Sequence, residues 1–232
     1  MNIDVHIYGV HARDDMIAAT VGKLGLDASA VHYDDRPDGG LMMYTAKKAW
    51  LAPVPEGVTH RIALADDAEV CDGFLDIAAK IAEAHPDAII SFFPYEFMER
   101  NPQIEGCDTP YFLAHVLSAV AIMMPVEFIQ PCFDYVWEKH QDNCTDDGGI
   151  HEWANAAGKQ VLTTIPALVQ HIGDESIYNK GCFIRRTVYY DPQPAANWES
   201  QKVMEYRVRE WFFANHGRPN HLKGGLRVVK WN

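Results

Sequence analysis

The chain has 232 residues, and its 32 acidic against 20 basic side chains leave a formal net charge of −12 at pH 7. With 48% hydrophobic and 22% charged residues it has a globular composition, which excludes disordered and collagen-like chains. The overall field repels phosphate backbones, so nucleic-acid binding would need a local basic patch or a metal.

Ten Phe, ten Tyr and six Trp supply material for a sizeable core, and the length suits a single domain. No run approaches the roughly 18 apolar residues of a membrane span. The start (MNIDVH) lacks the charged region and apolar run of a signal peptide, so a cytoplasmic protein is expected. Five scattered cysteines without a C-x-x-C suggest reduced thiols rather than a zinc ribbon or a disulfide framework.

Residues 3–10 alternate apolar and polar side chains and read as a strand. A loop at 11–13 leads into a helix over 14–24, with acids in its first turn and Gly25 to stop it. A short strand at 30–33 runs into the polar cluster 34–40, and 41–52 reads as a helix broken by Pro53 and Pro55. Residues 59–65 form a strand ending on Asp66-Asp67, 73–85 an amphipathic helix, and 88–93 a strand apolar enough to be covered on both faces. This β-α-β-α-β-α-β order predicts an α/β domain with a mainly parallel twisted sheet flanked by helices.

The second half is less regular. Residues 94–109 read as a loop, and the apolar run 111–124 fits a strand or a helix equally well. A helix over 125–140 is expected to be interrupted at Pro131. A polar loop (141–149) opens onto a helix at 150–157, followed by a strand at 160–163 and a long loop over 164–182. A helix over 201–215 is the last clear element before a short apolar tail.

Three segments carry candidate chemistry at predicted element ends, where α/β folds bind ligands. In ALADDAEV, the adjacent carboxylates of Asp66 and Asp67, with Glu69 two residues on, repel one another unless a cation lies between them. Such hard oxygen donors suit Mg²⁺ or Mn²⁺, and the alternative is a solvated turn or a helix cap. His171, in TTIPALVQHIGD, offers an imidazole to a metal or serves the structure alone. Asp146 and Asp147 stand before a helix, as caps or as a general base for a substrate hydroxyl.

In this order the three segments resemble the GT-A type of nucleotide-sugar glycosyltransferase, the small bacteriophage enzymes in particular. The run IPALVQHIG is similar to that family's Pro-Ser-Leu-Val-x-His-x-Gly segment, with Ala167 where Ser is usual, and Ala65 replaces the first acid of its metal motif. The resemblance covers roughly residues 3–180. It implies a single GT-A-like domain over 1–232, with a nucleotide-sugar-binding half (1–110) and an acceptor-side half (111–232).

It further implies transfer from a UDP-sugar, dependent on Mn²⁺ or Mg²⁺ held by Asp67, Glu69 and His171. Asp66, Asp34 and Asp35 would contact the base or ribose, and His11 and Arg13 the nucleotide. Asp147, with Asp146 as its neighbour, would accept the proton of the acceptor hydroxyl. Phage enzymes of this kind act in the host cytoplasm and often decorate hydroxymethylated bases in DNA, for which Arg185, Arg186 and the basic C-terminal stretch offer a patch. A metal-dependent phosphohydrolase or nuclease using the same carboxylates, and a non-enzymatic nucleotide-binding module, are the competing readings.

Overall fold

The alternation read in the first strand is real, and its two faces bury different helices. In order the elements are β1 (Ile3–Gly9), α1 (Asp14–Leu24), β2 (Val31–Tyr33), α2 (Met43–Trp50), β3 (His60–Ala65), β4 (Ala68–Val70), α3 (Phe74–Ala84) and β5 (Ala88–Ser91). There follow β6 (Tyr111–Leu113), β7 (Ala121–Pro125), α4 (Val126–His140), α5 (Asp146–Ala156), β8 (Gln160–Thr164), β9 (Val169–His171), β10 (Val203–Glu205) and β11 (Arg227–Val229). This is a computed structural model that describes residues 1–36, 43–94, 104, 106–114, 116–141, 143–173, 186–205 and 227–229.

Among these residues the strands form a nine-stranded sheet, ordered β11-β10-β6-β8-β5-β7-β3-β1-β2, and a two-stranded sheet of β4 and β9. β2, β1 and β3 run parallel, β7 runs against both β3 and β5, and β5 and β8 are again parallel. The fold is therefore α/β with a mixed, mostly parallel sheet. On one face Val5, Ile7, Ile62 and Leu64 pack with Ile17 of α1 and Phe74, Ala78 and Ile81 of α3. On the other, Tyr8, Ala63 and Ile122 pack with Trp50 of α2, Phe133 of α4 and Ile150 and Trp153 of α5. No helix among the described residues is long and apolar enough to cross a membrane, and Cys71 and Cys132 are buried free thiols.

Several expectations need correction. The run 111–124 is two strands, β6 and β7, separated by a turn; an all-apolar sequence carries no periodicity to reveal that break. Helix α4 continues through Pro131, which costs it the one N–H that would reach Glu127. Residues 203–205 form a strand rather than a helix, because Val203 and Met204 pair in parallel with Tyr111 and Phe112. The predicted turn 37–40 and the rest of the helix read at 206–215 lie outside the described residues.

Candidate functional site

Parallel strands β1, β2, β3, β5 and β8 end on one rim of the sheet, and the antiparallel β7 begins there. The Ala65 N–H donates to the Val120 carbonyl at 2.9 Å, which joins the end of β3 to the turn before β7. Gly9 ends β1 at the same rim. A Cβ on Gly9 would come within 2.2 Å of Asp66 Cβ, so the bare backbone is what lets the Asp66 side chain lie against the strand end.

Asp66 is buried, and its carboxylate accepts from the Val10 N–H at 2.9 Å and from Arg13 Nη1 at 2.6 Å. Burial raises its pKa from the ordinary carboxylate value; Arg13 pulls it back and the Asp67 charge adds to the rise. Arg13 Nη1 also lies 2.5 Å from Asp67 Oδ2. The guanidinium therefore bridges the two adjacent carboxylates and supplies, from the chain itself, the cation their repulsion demands. Arg13, expected to contact the nucleotide, is engaged here by these two acids.

Asp67 is held differently. Its side chain is 2% exposed, and Oδ2 lies 2.8 Å from His171 Nε2. Neither the Arg13 nor the His171 contact has hydrogen-bond angles, so this buried oxygen carries two close polar neighbours without a formed hydrogen bond. The β4–β9 pair makes the meeting, with Ala68 opposite His171 and the Ile172 N–H donating to the Asp67 carbonyl at 2.9 Å. The His171 ring stands edge-on to Phe93, centroids 6.0 Å apart, and remains partly open to solvent.

The same register removes Glu69. It pairs with Gln170, and neighbouring strand residues face opposite ways, so exposed Glu69 points away from His171. Gln170 instead ties β9 to the following segment, donating to the Thr187 carbonyl at 2.9 Å and accepting from the Thr187 N–H at 3.0 Å.

Asp146 and Asp147 lie inside the first turn of α5 and not in a loop before it. Thr145 is the N-cap, accepting from the Gly148 N–H. Asp146 is 0% exposed and meets the Tyr8 hydroxyl through Oδ2 at 2.8 Å. Burial, with the neighbouring Asp147 charge, raises its pKa to about 7. An acid so enclosed cannot touch an acceptor, which corrects its assignment as catalytic. Asp147 is only half-buried; its carboxylate accepts from the Gly148 N–H at 2.7 Å and the Ala119 N–H at 3.3 Å.

The remaining candidates gather at the end of β2. His11 stacks on Tyr33, centroids 3.9 Å apart and 13° from parallel. Asp34 is taken up by Arg36, which donates from Nε at 3.0 Å and Nη2 at 2.8 Å and so holds the Asp34 pKa down to about 2. Exposed Asp35 pairs with Lys48 Nζ at 3.0 Å and accepts from the Tyr44 hydroxyl. Arg186 donates to the Ile172 carbonyl at 3.3 Å, while Arg185 lies outside the described residues.

No family model matches this chain, and no curated protein matches it. The metal expectation therefore rests on the donor atoms. Two ligands at right angles, each about 2.1 Å from an ion, stand about 3 Å apart. The 2.8 Å between Asp67 Oδ2 and His171 Nε2 fits that spacing. Among the described residues no group of three or more His, Cys, Asp or Glu is placed to hold a metal. The pair fits a divalent ion that takes its other positions from a ligand's oxygens and water, the usual way Mg²⁺ is held beside phosphates. Tyr8 and Gly9, which build this rim, escaped the sequence reading; a glycine ending a strand is the one signal that could have exposed them.

Proposed function

We propose that the chain is a metal-dependent glycosyltransferase of the GT-A type, moving a sugar from a UDP-type nucleotide sugar to an acceptor hydroxyl, with hydroxymethylated DNA bases as the leading acceptor class. The observation that carries this reading is the convergence of Asp67 and His171, at ligand spacing, on the rim where the parallel strands end. A bound Mn²⁺ or Mg²⁺ supplies Lewis-acid stabilisation for the departing diphosphate.

The chain's own residues do the rest. Asp67 and His171 present one oxygen and one nitrogen to the ion. Arg13 keeps Asp66 and Asp67 together at low electrostatic cost, and Gly9 makes room for Asp66. Asp147, half-buried with both oxygens oriented by backbone donors, retains lone pairs with which to take the acceptor hydroxyl proton.

Thermal shift with UDP and Mn²⁺, separately and together, tests the assignment. UDP should raise the midpoint only with Mn²⁺ present, by the equivalent of about 2.7 kcal/mol at a hundred times Kd. Asp67→Asn and His171→Ala should abolish that rise while leaving the unliganded midpoint in place. Sugar transfer that survives excess EDTA would overturn the reading. The competing module reading draws on Arg13, which neutralises the paired carboxylates unaided; metal-independent UDP binding would favour it.

A further inference from the structure

The Tyr8 hydroxyl lies between two acceptors. Its oxygen is 2.6 Å from the Ala119 carbonyl oxygen and 2.8 Å from Asp146 Oδ2, both within hydrogen-bonding range. A phenol has one hydrogen and can donate it to only one of them. Were Asp146 ionised, the other contact would set two electron-rich oxygens against each other in a fully buried space. Asp146 Oδ1 adds to the difficulty, since it is buried and has no hydrogen-bond partner. The backbone N–H groups of Asp146 and Asp147 favour the charged form, but burial outweighs them. A carboxylate so placed would still leave one oxygen without a formed hydrogen bond, a cost that a neutral acid avoids.

We infer that Asp146 is held as the neutral acid, its own O–H donating to the Tyr8 oxygen while the Tyr8 O–H donates to the Ala119 carbonyl, and that this buried proton positions Asp147 at the start of α5. The surroundings agree. Asp147 on the same turn and, through space, Asp66 near the Tyr8 hydroxyl are the charges felt there, and all are negative. Helices α2 and α4 meet this turn through Met43 and Val136, which touch the Gly149 position. The cations of α4, Lys139 and His140, are paired with Glu152 further along α5, and those of α2, Lys47 and Lys48, with the Trp137 ring and Asp35. From β8, Val161 contributes only apolar contact. No cation answers an Asp146 charge among these groups.

The proton matters because Ala119 is gripped twice. Its carbonyl accepts from Tyr8, and its N–H donates to Asp147 Oδ2. When Asp146 loses its proton to solvent, the single Tyr8 hydrogen must turn to the new carboxylate and release the Ala119 carbonyl. Asp146 and Asp147 then repel at adjacent positions. Asp146 is thus a positioning residue, and its effect on turnover rests on the role of Asp147 proposed above.

The test is an infrared comparison of the full-length wild type with Asp146→Asn, whose amide N–H can still donate to the Tyr8 oxygen. At pH 6 the difference spectrum should contain the carbonyl stretch of one protonated carboxyl, converting to a carboxylate band as pH rises through about 7. Because the group's pKa is raised on folding, its contribution to stability is complete below the unfolded value of 3.8 and is lost as pH rises through about 7. Asp146→Asn should therefore gain in melting temperature over the wild type between pH 5 and pH 8. Its turnover should also hold to higher pH.

A pure carboxylate difference band at pH 6, or parallel stability profiles, would overturn the inference. If Asp146→Asn fails to fold, the carboxyl ¹³C shifts of Asp-labelled wild type report the same protonation. Neither readout needs a substrate. Failure of the glycosyltransferase reading, seen as an absence of metal-dependent UDP binding, is therefore distinguishable from failure of this one.

Discussion

Strands β1 and β3 carry an Asp, Arg and His cluster at each of their two ends, and the two clusters are built to opposite purposes. At the amino ends, Arg61 is fully buried and donates to Asp4 Oδ2 from Nε at 3.0 Å and Nη2 at 2.5 Å. It also donates to the carbonyls of Trp50, Ala52 and Pro53, which closes the carboxyl end of α2. His6 joins Asp4 at 2.9 Å and His32 at 2.8 Å. Each of these side chains is held by formed hydrogen bonds. At the carboxyl ends, the Asp67 oxygen has close neighbours without hydrogen-bond angles, and His171 stays partly open. Similar residue types make a finished clamp in one place and an incompletely bonded cluster in the other. What separates them is how completely the donors and acceptors are matched.

The sharpest way to break this comparison is at the clamp. Arg61→Met strands the Asp4 charge and frees the α2 carbonyls, so it should cost about 3–5 kcal/mol in denaturant-measured stability. A loss as small as that of Asp67→Asn would erase the distinction between the two clusters. Next in size is Gly9→Ala. The added methyl must displace Asp66, which should cost about 1–3 kcal/mol and weaken metal-dependent UDP binding as well.

A third measurement uses acid. Burial, together with His6 and Arg61, lowers the His32 pKa from 6.5 to about 4, so it is neutral in the fold at neutral pH. Its contribution to stability is complete above pH 6.5 and is lost as pH falls through about 4. His32→Gln should flatten the fall in denaturation midpoint between pH 7 and pH 4, because glutamine still donates to His6 without titrating. The smallest effect is expected from Asp35→Asn. Its partners Lys48 and Tyr44 are met at the exposed surface, and such pairs contribute little, so the melting temperature should not move.

The parts of the molecule that were legible in the sequence are those set by neighbours along the chain. Helix α1 begins at its paired acids and ends at Gly25, which adopts the left-handed conformation with φ 64°. Its signals are local, and they were sufficient. Strands β4, β9 and β10 have three residues each, and their partners lie far along the chain; no period can be seen in three residues. The site divided along the same line. Asp66, Asp67 and His171 were found by residue type and by position at element ends. The dismissal of Glu69 needed the β4–β9 register, and the burial of Asp146 needed the Tyr8 hydroxyl, 138 positions away.

The place of β7 in the sheet bears on how the protein is made. β3 and β5 are emitted early in translation, yet the strand that joins them is residues 121–125. Until that segment has left the ribosome, the nascent chain presents facing strand edges that cannot pair with one another, the exposure that invites aggregation and chaperone binding. His171 emerges later still, so Asp67 must wait about a hundred residues of synthesis, several seconds or more at typical rates, for its companion. Any capture of a divalent ion that needs both side chains is thereby deferred until most of the polypeptide exists.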